Sequence, residues 1–294
     1  MIAWVSGIYD EPELYELACA YRDIPAEVTA LQAWCAGHHA GPVRSVLELA
    51  AGPAEHAREL ARRGVRATAL DRSPAMCGYA AAQAESAGVA LDVIEGDMRD
   101  FRIADSGGRL VQFDLAVTML NSLCHLFTLD DLVRHLAAVR PQLAPGGLYI
   151  AELAHPADFF AAEPRTSNDW VIDADGVHAD VHWGSKGDRI DPLTQVTREH
   201  MSITATAKDG TIRTVSDVVP NRFWTLTEFT AAVALANALL AGTALGDAAL
   251  ADSGPGAAPG FELVATYGDF DATTPLDAPA AWRMILILQA AGTS

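Results

Sequence analysis

Short apolar runs alternate with helical patterns through the middle of the chain. Val43–Leu49 is an apolar run bounded by glycine and proline, which is typical of a strand buried on both faces. Further runs of this kind, each with a helical pattern beside it, predict strands over Val65–Leu70, Val89–Ile94, Phe113–Val117 and Leu148–Leu153. Pro145-Gly146-Gly147 is predicted to be a turn into the last of these strands. The helices between them are predicted over Ala54–Arg63, from Ser73 to Gly88 and from Leu129 to Val139. This alternation, with its short connections, predicts a parallel sheet sandwiched by helices.

The segments on either side of this core have different patterns. Residues 1–40 show helical spacing interrupted by Pro25, which predicts two helices and an N-terminal helical lid. Residues 155–224 are rich in β-branched residues in alternation with polar ones, and Asp209-Gly210 is a strong hairpin signal. We expect there an antiparallel insertion of about three strands, over Val171–Trp183, Thr194–Ala205 and Thr211–Val219.

Residues 225–294 return to the core. They predict a helix over Leu226–Leu240, a loop with helical pieces over 242–260, and two closing strands over Phe261–Thr266 and Ala281–Leu288. The whole pattern predicts an α/β fold of Rossmann-like type. Its seven-stranded, mostly parallel sheet occupies residues 41–154 and 225–294, and the antiparallel insertion forms a substrate lid and a surface through which two subunits can pair.

Composition narrows the class of partner. The 294 residues are 50% hydrophobic, with a formal net charge of -18 and an isoelectric point near 4.7. Such an acidic chain repels phosphate backbones and anionic lipid, so we expect a small-molecule substrate and neither a nucleic-acid nor a membrane partner. The four cysteines lack metal-ligand spacing, and no basic or long apolar leader is present, which predicts a cytoplasmic protein with reduced thiols.

The loop after the first strand carries the main functional signal. In a parallel sheet, ligands bind at the carboxyl ends of the strands, and Ala50 to Ala54 is a run of small residues at such an end. A dinucleotide loop has a third glycine where this chain has Glu55, whose carboxylate would face a pyrophosphate. Asp71, at the end of the second strand, is placed to accept hydrogen bonds from ribose hydroxyls. These residues favour a nucleoside cofactor without a diphosphate.

Five motifs in order then resemble the class I S-adenosylmethionine-dependent methyltransferases, small-molecule branch. The glycine-rich first motif has alanine at Ala50 and Ala54, and the ribose-binding second motif ends near Asp71. The motifs span Leu47–Ala54, Ala67–Ser73, Glu95–Met98, Phe113–Asn121 and Leu143–Gly147. The resemblance implies S-adenosylmethionine as the cofactor, with S-adenosylhomocysteine as its product.

The same resemblance assigns cofactor contacts residue by residue. Asp97 accepts from the adenine amine with Met98 beside the ring, and Arg22 meets the methionine carboxylate unless it is simply a surface arginine on a helix. The full set of predicted cofactor contacts is Tyr21, Arg22, Glu48, Ala50, Gly52, Asp71, Arg72, Asp97, Met98, Met119 and Asn121. Tyr9 and Tyr15 either cover the cofactor as a lid or serve only helix packing.

The predicted catalytic residue is His125, which follows the fourth strand and so lies near the methyl group. Histidine suits a base for an acceptor that carries a proton, and the alternative role for His125 is support of its loop. Removing such a base would lower the rate roughly 10²-fold or more without weakening cofactor affinity. The predicted substrate contacts are Tyr15, His155, Trp170, Trp183, Arg222 and Trp224. His178 and His182 lack a third ligand, so no metal is expected.

Taken together, the sequence predicts a small-molecule N- or O-methyltransferase. Carbon methylation is the main alternative within the same enzyme class. A catalytically idle protein that retains the cofactor pocket, and an NAD-dependent oxidoreductase on the same sheet, are the alternatives outside it. The substrate itself is not predicted.

Overall fold

The structure, a computed structural model, contains two sheets and describes residues 7–39, 41–161, 167–174, 176–242 and 260–291. Its strands are β1 Ser45–Leu49, β2 Arg66–Asp71, β3 Leu91–Glu95, β4 Phe113–Thr118, β5 Leu143–Ala154, β6 Ser167–Ala174, β7 Val177–Gly184, β8 Val196–Ala207, β9 Ile212–Arg222, β10 Phe261–Tyr267 and β11 Arg283–Ala290. Its α-helices are α1 Pro12–Ala18, α2 Ile24–His38, α3 Glu55–Arg62, α4 Pro74–Ser86, α5 Leu129–Val139 and α6 Leu226–Ala241. Most of the loop predicted over 242–260 lies outside the described residues.

The larger sheet has seven strands in the order β10-β11-β5-β4-β1-β2-β3. All neighbours are parallel except that β11 runs antiparallel to both β5 and β10. Apolar clusters cover both faces, one built on α5 and α6 and the other on α2 and α3. The predicted fold class is confirmed, and its physical cause is visible in β1, which is buried along its whole length as a strand between two helical layers must be.

The strand order reverses between the neighbouring strands β1 and β4. From β1 the chain continues to β2 and β3 at one edge of the sheet, and from β4 it continues to β5 on the other side. The loops that follow these two strands therefore leave a crevice between them at the carboxyl end of the sheet. This switch point places the loop 50–54 opposite the segment 119–126. The site described below is built around it.

The fifth strand begins earlier than the sequence predicts. Pro145-Gly146-Gly147 was expected to be a turn before a strand at Leu148, but β5 already starts at Leu143. Gly146 has a φ of +75°, and the register with β4 shifts between Phe113 and Leu115. The turn residues thus form an irregularity inside the strand, since glycine adopts a positive φ without steric cost.

The insertion contains four strands where about three were expected. The run Val171–Trp183, read as one strand, is divided between β6 and β7, which pair antiparallel on either side of Gly176. Gly176 has a φ of +81°, a conformation that favours glycine at a hairpin. The sheet order is β6-β7-β8-β9, and Asp209-Gly210 joins the last two strands as predicted.

One face of this second sheet packs on the N-terminal segment. Ile8, Leu14 and Ala18 are buried against alternate residues of the sheet, such as Val181 and Ile203. The two predicted N-terminal helices are present, and Pro25 lies in the first turn of α2, where its missing N–H costs nothing. The N-terminal segment is thereby held between the second sheet and the carboxyl end of the first.

The opposite face of the second sheet is polar. His178 and His182 both lie on the exposed side of the regular strand β7, and each pairs with an aspartate of β6, at 2.8 and 3.0 Å. Within the described part of the chain, no group of three or more His, Cys, Asp or Glu side chains converges as a metal site would require. In the same residues, no helix is long and apolar enough to cross a membrane.

Candidate active site

Two chambers meet at the carboxyl end of the larger sheet. The first chamber, a cavity of about 390 Å³, is lined by the loops after β1, β2 and β3 and by the N-terminal segment. The second chamber, about 200 Å³, lies between the segment 120–125 and the second sheet. Four residues line both chambers: Tyr9, Tyr15, Ser122 and His125. A group bound in one chamber therefore reaches a group bound in the other at these four side chains.

The loop after β1 brings its backbone into the first chamber. Ala50, Gly52 and Ala54 have φ values of +48°, +52° and +57°, and the first two line the chamber. Each is in the left-handed region that glycine adopts freely and alanine adopts at a cost. The two alanines thus keep the backbone course of a glycine-rich loop while storing strain in it.

Replacing these alanines is expected to stabilise the fold. Ala50→Gly and Ala54→Gly should each raise the free energy of unfolding by about 0.5–1 kcal/mol, because relief of the positive φ outweighs the added freedom of the unfolded chain. Urea unfolding measures the change. The matched control is Ala57→Gly in the interior of α3, which should lower stability by about 1 kcal/mol or more. Equal losses at all three positions would contradict this account.

Asp71 ties the second loop to the first. Its Oδ2 accepts a hydrogen bond of 2.7 Å from the Gly52 N–H, and its Oδ1 accepts one of 2.8 Å from the Ser73 N–H. Burial raises the pKa of the Asp71 carboxyl, and the backbone N–H groups of Ser73 and Gly52 oppose that rise. Asp71 lines the first chamber and each of its oxygens has capacity for a second hydrogen bond, so the carboxylate can accept bonds from the hydroxyls of a ligand there.

Asp97 also lines the first chamber, after β3, together with the buried Met98. Its carboxylate accepts bonds from Arg99, at 3.0 Å from Nε and 2.6 Å from Nη2, and this arginine holds the pKa of Asp97 below its usual range. Asp131 binds the same guanidinium at 3.0 Å. Arg99 therefore fixes the orientation of Asp97, a contact that the motif itself does not reveal.

Tyr9 and His125 form the boundary between the chambers. The Tyr9 hydroxyl lies 3.0 Å from His125 Nε2, and the two rings meet edge to face. Burial, with a further contribution from the Arg72 charge, lowers the pKa of His125 to about 4, so its ring is neutral at pH 7. Burial also raises the pKa of Tyr9 well above its usual value. The boundary is thus a hydrogen bond between two uncharged groups.

The second chamber is walled by aromatic rings and carries one buried carboxylate on its sheet side. Trp170 and Trp183 of the second sheet line it with Phe159 and Phe223, which stack on each other. Tyr15 continues the same row of rings, with its centroid 6.3 Å from that of Trp183. The carboxylate belongs to Glu199 of β8, a residue that is 7% exposed.

A buried ion-pair network lies behind the chambers. Arg22 contacts Glu27 at 2.6 Å and Glu152 at 2.8 Å, and its side chain is 3% exposed. Glu152 is completely buried and is also held by Arg283 at 2.8 Å and by the Leu120 N–H at 2.7 Å. Burial alone would raise the pKa of Glu152, but the two arginines outweigh it and lower that pKa to about 2. This network joins the N-terminal segment to β5 and to the loop after β4.

The structure brings only part of the predicted cofactor set into the first chamber. Six of those residues line it: Ala50, Gly52, Asp71, Arg72, Asp97 and Met98. Tyr21 and Asn121 line the second chamber instead. Arg22 lines neither, because its guanidinium is already held by two carboxylates. Glu48 and Met119 are buried outside both chambers, with Glu48 accepting a 2.7 Å bond from the Ala57 N–H.

The predicted substrate residues divide in the same way. Tyr15, Trp170 and Trp183 line the second chamber. His155, Arg222 and Trp224 line neither chamber. His155 instead caps a short helical turn and contacts the Leu276 carbonyl. Trp224 is a core residue that donates to the Leu123 carbonyl, and Arg222 lies over its ring at 3.8 Å. Their positions just before α6 supply packing between the two sheets.

Glu199 was missed by the sequence reasoning, although a signal was present. Residues 197, 199, 201, 203 and 205 form the buried face of β8, and Glu199 is the charged member of an otherwise mostly apolar alternation. A carboxylate on the core side of a strand is costly unless it has a partner or a function. Tyr9 was noted as part of a lid, but its contact with His125 joins residues 116 positions apart and has no local signal.

Comparisons with known proteins agree with this geometry. Residues 46–147 match the family described as "Methyltransferase domain". No curated protein matches the chain by sequence. Among solved structures, a S-adenosylmethionine-dependent methyltransferase from Clostridium acetobutylicum is similar at 16% identity and a TM-score of 0.69, with 94% of this chain and 96% of that chain covered.

Two further solved structures are similar over almost their whole length. A sugar N-methyltransferase from Streptoalloteichus has 21% identity and a TM-score of 0.64, covering 94% of this chain and 92% of its own. An amino pentose methyltransferase from Micromonospora echinaspora, involved in calicheamicin biosynthesis and solved with S-adenosylmethionine bound, has 18% identity and a TM-score of 0.64, covering 93% and 95%.

The matched domain, residues 46–147, contains the loop 50–54, Asp71, Asp97 and the segment that bears His125. The predicted resemblance is confirmed by this domain match, and the predicted fold by the similar structures. The chain therefore carries a methyltransferase domain and has the fold of the S-adenosylmethionine-dependent methyltransferases.

Proposed function

We propose that this protein transfers the methyl group of S-adenosylmethionine to the nitrogen of a small-molecule amine of about the size of an amino sugar. The observation that carries the proposal is the pair of chambers that meet at Tyr9 and His125. One chamber has the residues of a nucleoside site, and the other has aromatic walls and a buried carboxylate, which suit a cationic ring. Similar structures described as a sugar N-methyltransferase and an amino pentose methyltransferase support nitrogen as the acceptor.

The residues of the first chamber fit the cofactor. The Asp71 carboxylate is available to two ribose hydroxyls, the small loop residues allow close approach to the backbone, and Asp97 with Met98 is proposed to hold the adenine. The bound sulfonium supplies the methyl group and a good leaving group. S-adenosylmethionine has no phosphate group, so the site needs no phosphate-binding cation; Glu55 at the start of α3 does not line the chamber.

The chain's own part in the reaction is alignment and exclusion of water. Methyl transfer is an in-line displacement, so the acceptor has to lie opposite the leaving group at close range. Tyr9, Tyr15 and His125 surround the passage between the chambers and are proposed to hold the acceptor there. The N-terminal segment and second sheet close over this passage, which removes water from the reacting groups.

The neutral state of His125 affects its proposed role. A base with a pKa of about 4 takes a proton only weakly at neutral pH, and the best general bases have a pKa near the working pH. We therefore propose that His125 acts mainly by orienting the acceptor with Tyr9, through their 3.0 Å hydrogen bond. The role of base that the sequence predicts for it stays a prediction.

Removal of the His125 ring tests its place at the transfer point. His125→Ala is expected to lower kcat by roughly 10–100-fold while leaving the affinity for S-adenosylhomocysteine unchanged, because misplacement of the acceptor affects the transfer step. Steady-state kinetics and calorimetry measure the two quantities. His155→Ala is the matched control, since that histidine lies outside both chambers and its loss should leave kcat unchanged. A normal kcat in His125→Ala would remove His125 from the site.

A transfer assay tests the function itself. Protein with methyl-labelled S-adenosylmethionine should label 3-amino-3-deoxyglucose or glucosamine, and should not label glucose, whose hydroxyl groups occupy the same positions. Titration with S-adenosylhomocysteine should show binding. Label on the hydroxyl compound alone would establish O-methylation instead, and label on carbon would establish the other predicted alternative. Absence of cofactor binding would overturn the proposal entirely.

A further inference from the structure

Glu199 places a carboxylate in the wall of the second chamber. Strand alternation in β8 turns it to the buried side with Met201 and Ile203, and the residue is 7% exposed. It lies among the chamber's aromatic residues, beside Trp183 and Asn221. Burying a carboxylate without a charged partner is unfavourable, so its presence on this face requires a reason.

The groups that contact Glu199 are neutral. The Asn221 amide donates a hydrogen bond of 2.6 Å to its Oε2, and Trp183 donates another. The nearby charge that acts on it is Asp188, also an acid. Burial first, and then Asp188, raise the pKa of Glu199 to about 7. The carboxylate is thus oriented by two donors and lacks a cation among the described residues that act on it.

Arg283, the cation in the described lining of the chamber, is already paired with another carboxylate. Arg283 contacts the buried Glu152 at 2.8 Å and lies over the Trp282 ring at 3.7 Å. The second carboxylate in the lining is Asp158, which is half-buried. The described part of the chamber therefore carries an excess of negative charge that a positively charged ligand would balance.

Glu199 is also connected to the passage between the chambers. Asn221 bridges it to the Cys124 thiol, which lies 3.2 Å from Asn221 Oδ1 and directly precedes His125 in the chain. The charge of Glu199 contributes to raising the pKa of both Cys124 and Tyr9, after the larger effect of burial. A group bound to this carboxylate is therefore close to the boundary residues.

We infer that Glu199 is the residue that selects the acceptor: its carboxylate binds the ammonium group of the substrate and makes the site prefer amines to alcohols. This inference rests on the proposed N-methylation. Asn221 and Trp183 act as positioning residues that hold the carboxylate toward the chamber. Hydrogen bonds between a carboxylate and an ammonium are stronger than those between neutral groups, so the discrimination is large.

The same carboxylate accounts for the proton that must leave. The bound ammonium gives one proton to Glu199, which leaves a lone pair on nitrogen. That lone pair forms the new N–C bond while the C–S bond of the cofactor breaks and its electrons stay on sulfur. The product leaves as a methylammonium ion, and Glu199 then gives its proton to water. A group with a pKa close to neutrality suits both transfers.

Binding of two simple probes tests the inference without knowledge of the natural substrate. Cyclohexylammonium and cyclohexanol share a six-membered ring and differ in charge, and the fluorescence of Trp170 and Trp183 reports occupation of the chamber. In protein saturated with S-adenosylhomocysteine, the wild type should bind the ammonium about 10-fold more tightly than the alcohol, or better. Glu199→Gln should bind both equally, with its affinity for cyclohexanol unchanged.

Asp180→Asn is the control, since it removes an exposed carboxylate from the neighbouring strand β7 and should keep the preference. Thermal unfolding and S-adenosylhomocysteine affinity show that each variant is folded, and Glu199→Met replaces Glu199→Gln if the latter is not. A wild type without preference, or a folded Glu199 variant that retains it, would overturn the inference. Ammonium preference without methyl transfer to any amine would count against the proposed function alone.

Discussion

Asp71→Ala is expected to weaken the binding of S-adenosylmethionine and S-adenosylhomocysteine by about 10²-fold or more. Each hydrogen bond to a charged group contributes about 1.5–3 kcal/mol, and the carboxylate is proposed to accept two from the ribose. The change also leaves the N–H groups of Gly52 and Ser73 without the acceptor that now lies at 2.7 and 2.8 Å. Both effects weaken cofactor binding, and neither changes the affinity for the substrate that receives the methyl group.

Titration calorimetry measures this loss, and two further variants separate its causes. Asp71→Asn keeps an oxygen to accept one of the backbone bonds but loses the charge, so its affinity should fall between those of the wild type and Asp71→Ala. Asp92→Ala removes an exposed carboxylate from the adjacent strand β3 and should bind normally. An Asp71→Ala protein that is folded and binds S-adenosylhomocysteine with wild-type affinity would show that the first chamber is not the cofactor site.

Arg22→Ala should lower the free energy of unfolding by about 3–5 kcal/mol, the usual cost of leaving buried carboxylates without their partner. The Arg22 guanidinium is bonded to Glu27 and to the fully buried Glu152. Among the described residues, the Glu152 carboxylate would then keep Arg283 and the Leu120 N–H as its partners. Since Glu152 also holds the loop after β4, the loss should extend to the segment that carries His125.

Urea unfolding at pH 7 measures the effect, with Arg213→Ala as the control. Arg213 forms two ion pairs on the surface, with Glu11 and Glu13, and exposed pairs contribute less than about 1 kcal/mol. A loss of the same small size in Arg22→Ala would contradict the importance of the buried network.

The pH dependence of stability gives an independent check on the same network. The ordinary pKa of Glu152 is 4.5 and its folded pKa is about 2, so its contribution is present above pH 4.5 and is lost as the pH falls toward 2. The difference in stability between wild type and Arg22→Ala should therefore be largest near neutrality and shrink in acid. A difference that is constant from pH 7 to pH 3 would exclude Glu152 as its source.

The local patterns in the sequence were sufficient for the core. Period-2 and helical spacings depend on neighbours in the chain, so they located the strands of the larger sheet and the α-helices of the described residues to within a few residues, apart from the start of β5. The prediction was wrong at two glycines. Gly146 was expected in a turn but lies inside β5, and the alternating pattern around Gly176 was expected to be one strand but forms the two strands β6 and β7. Both are hairpin or bulge positions that alternation alone does not distinguish from a continuous strand or a turn.

A contact in the site was predictable where regular strand–loop–helix units carry both of its partners. Asp71 and Gly52 are 19 positions apart, yet the strand–loop–helix units that carry them are regular, so their juxtaposition follows from the fold. Arg22 is the contrasting case. Its motif points to the cofactor, but its partner Glu152 is 130 positions away, and the network that holds its guanidinium has no signal near position 22.

The sequence by itself thus determined the parallel sheet, the position of the small-residue loop 50–54 and the acid after the second strand, because these depend on short-range spacing and on small residues at one strand end. Only the tertiary structure decided which side chains share a cavity and in what state of charge. Burial makes His125 neutral, and the second sheet brings Glu199 to the aromatic chamber. Desolvation and long-range contacts are properties of the packed chain, and no local pattern contains them.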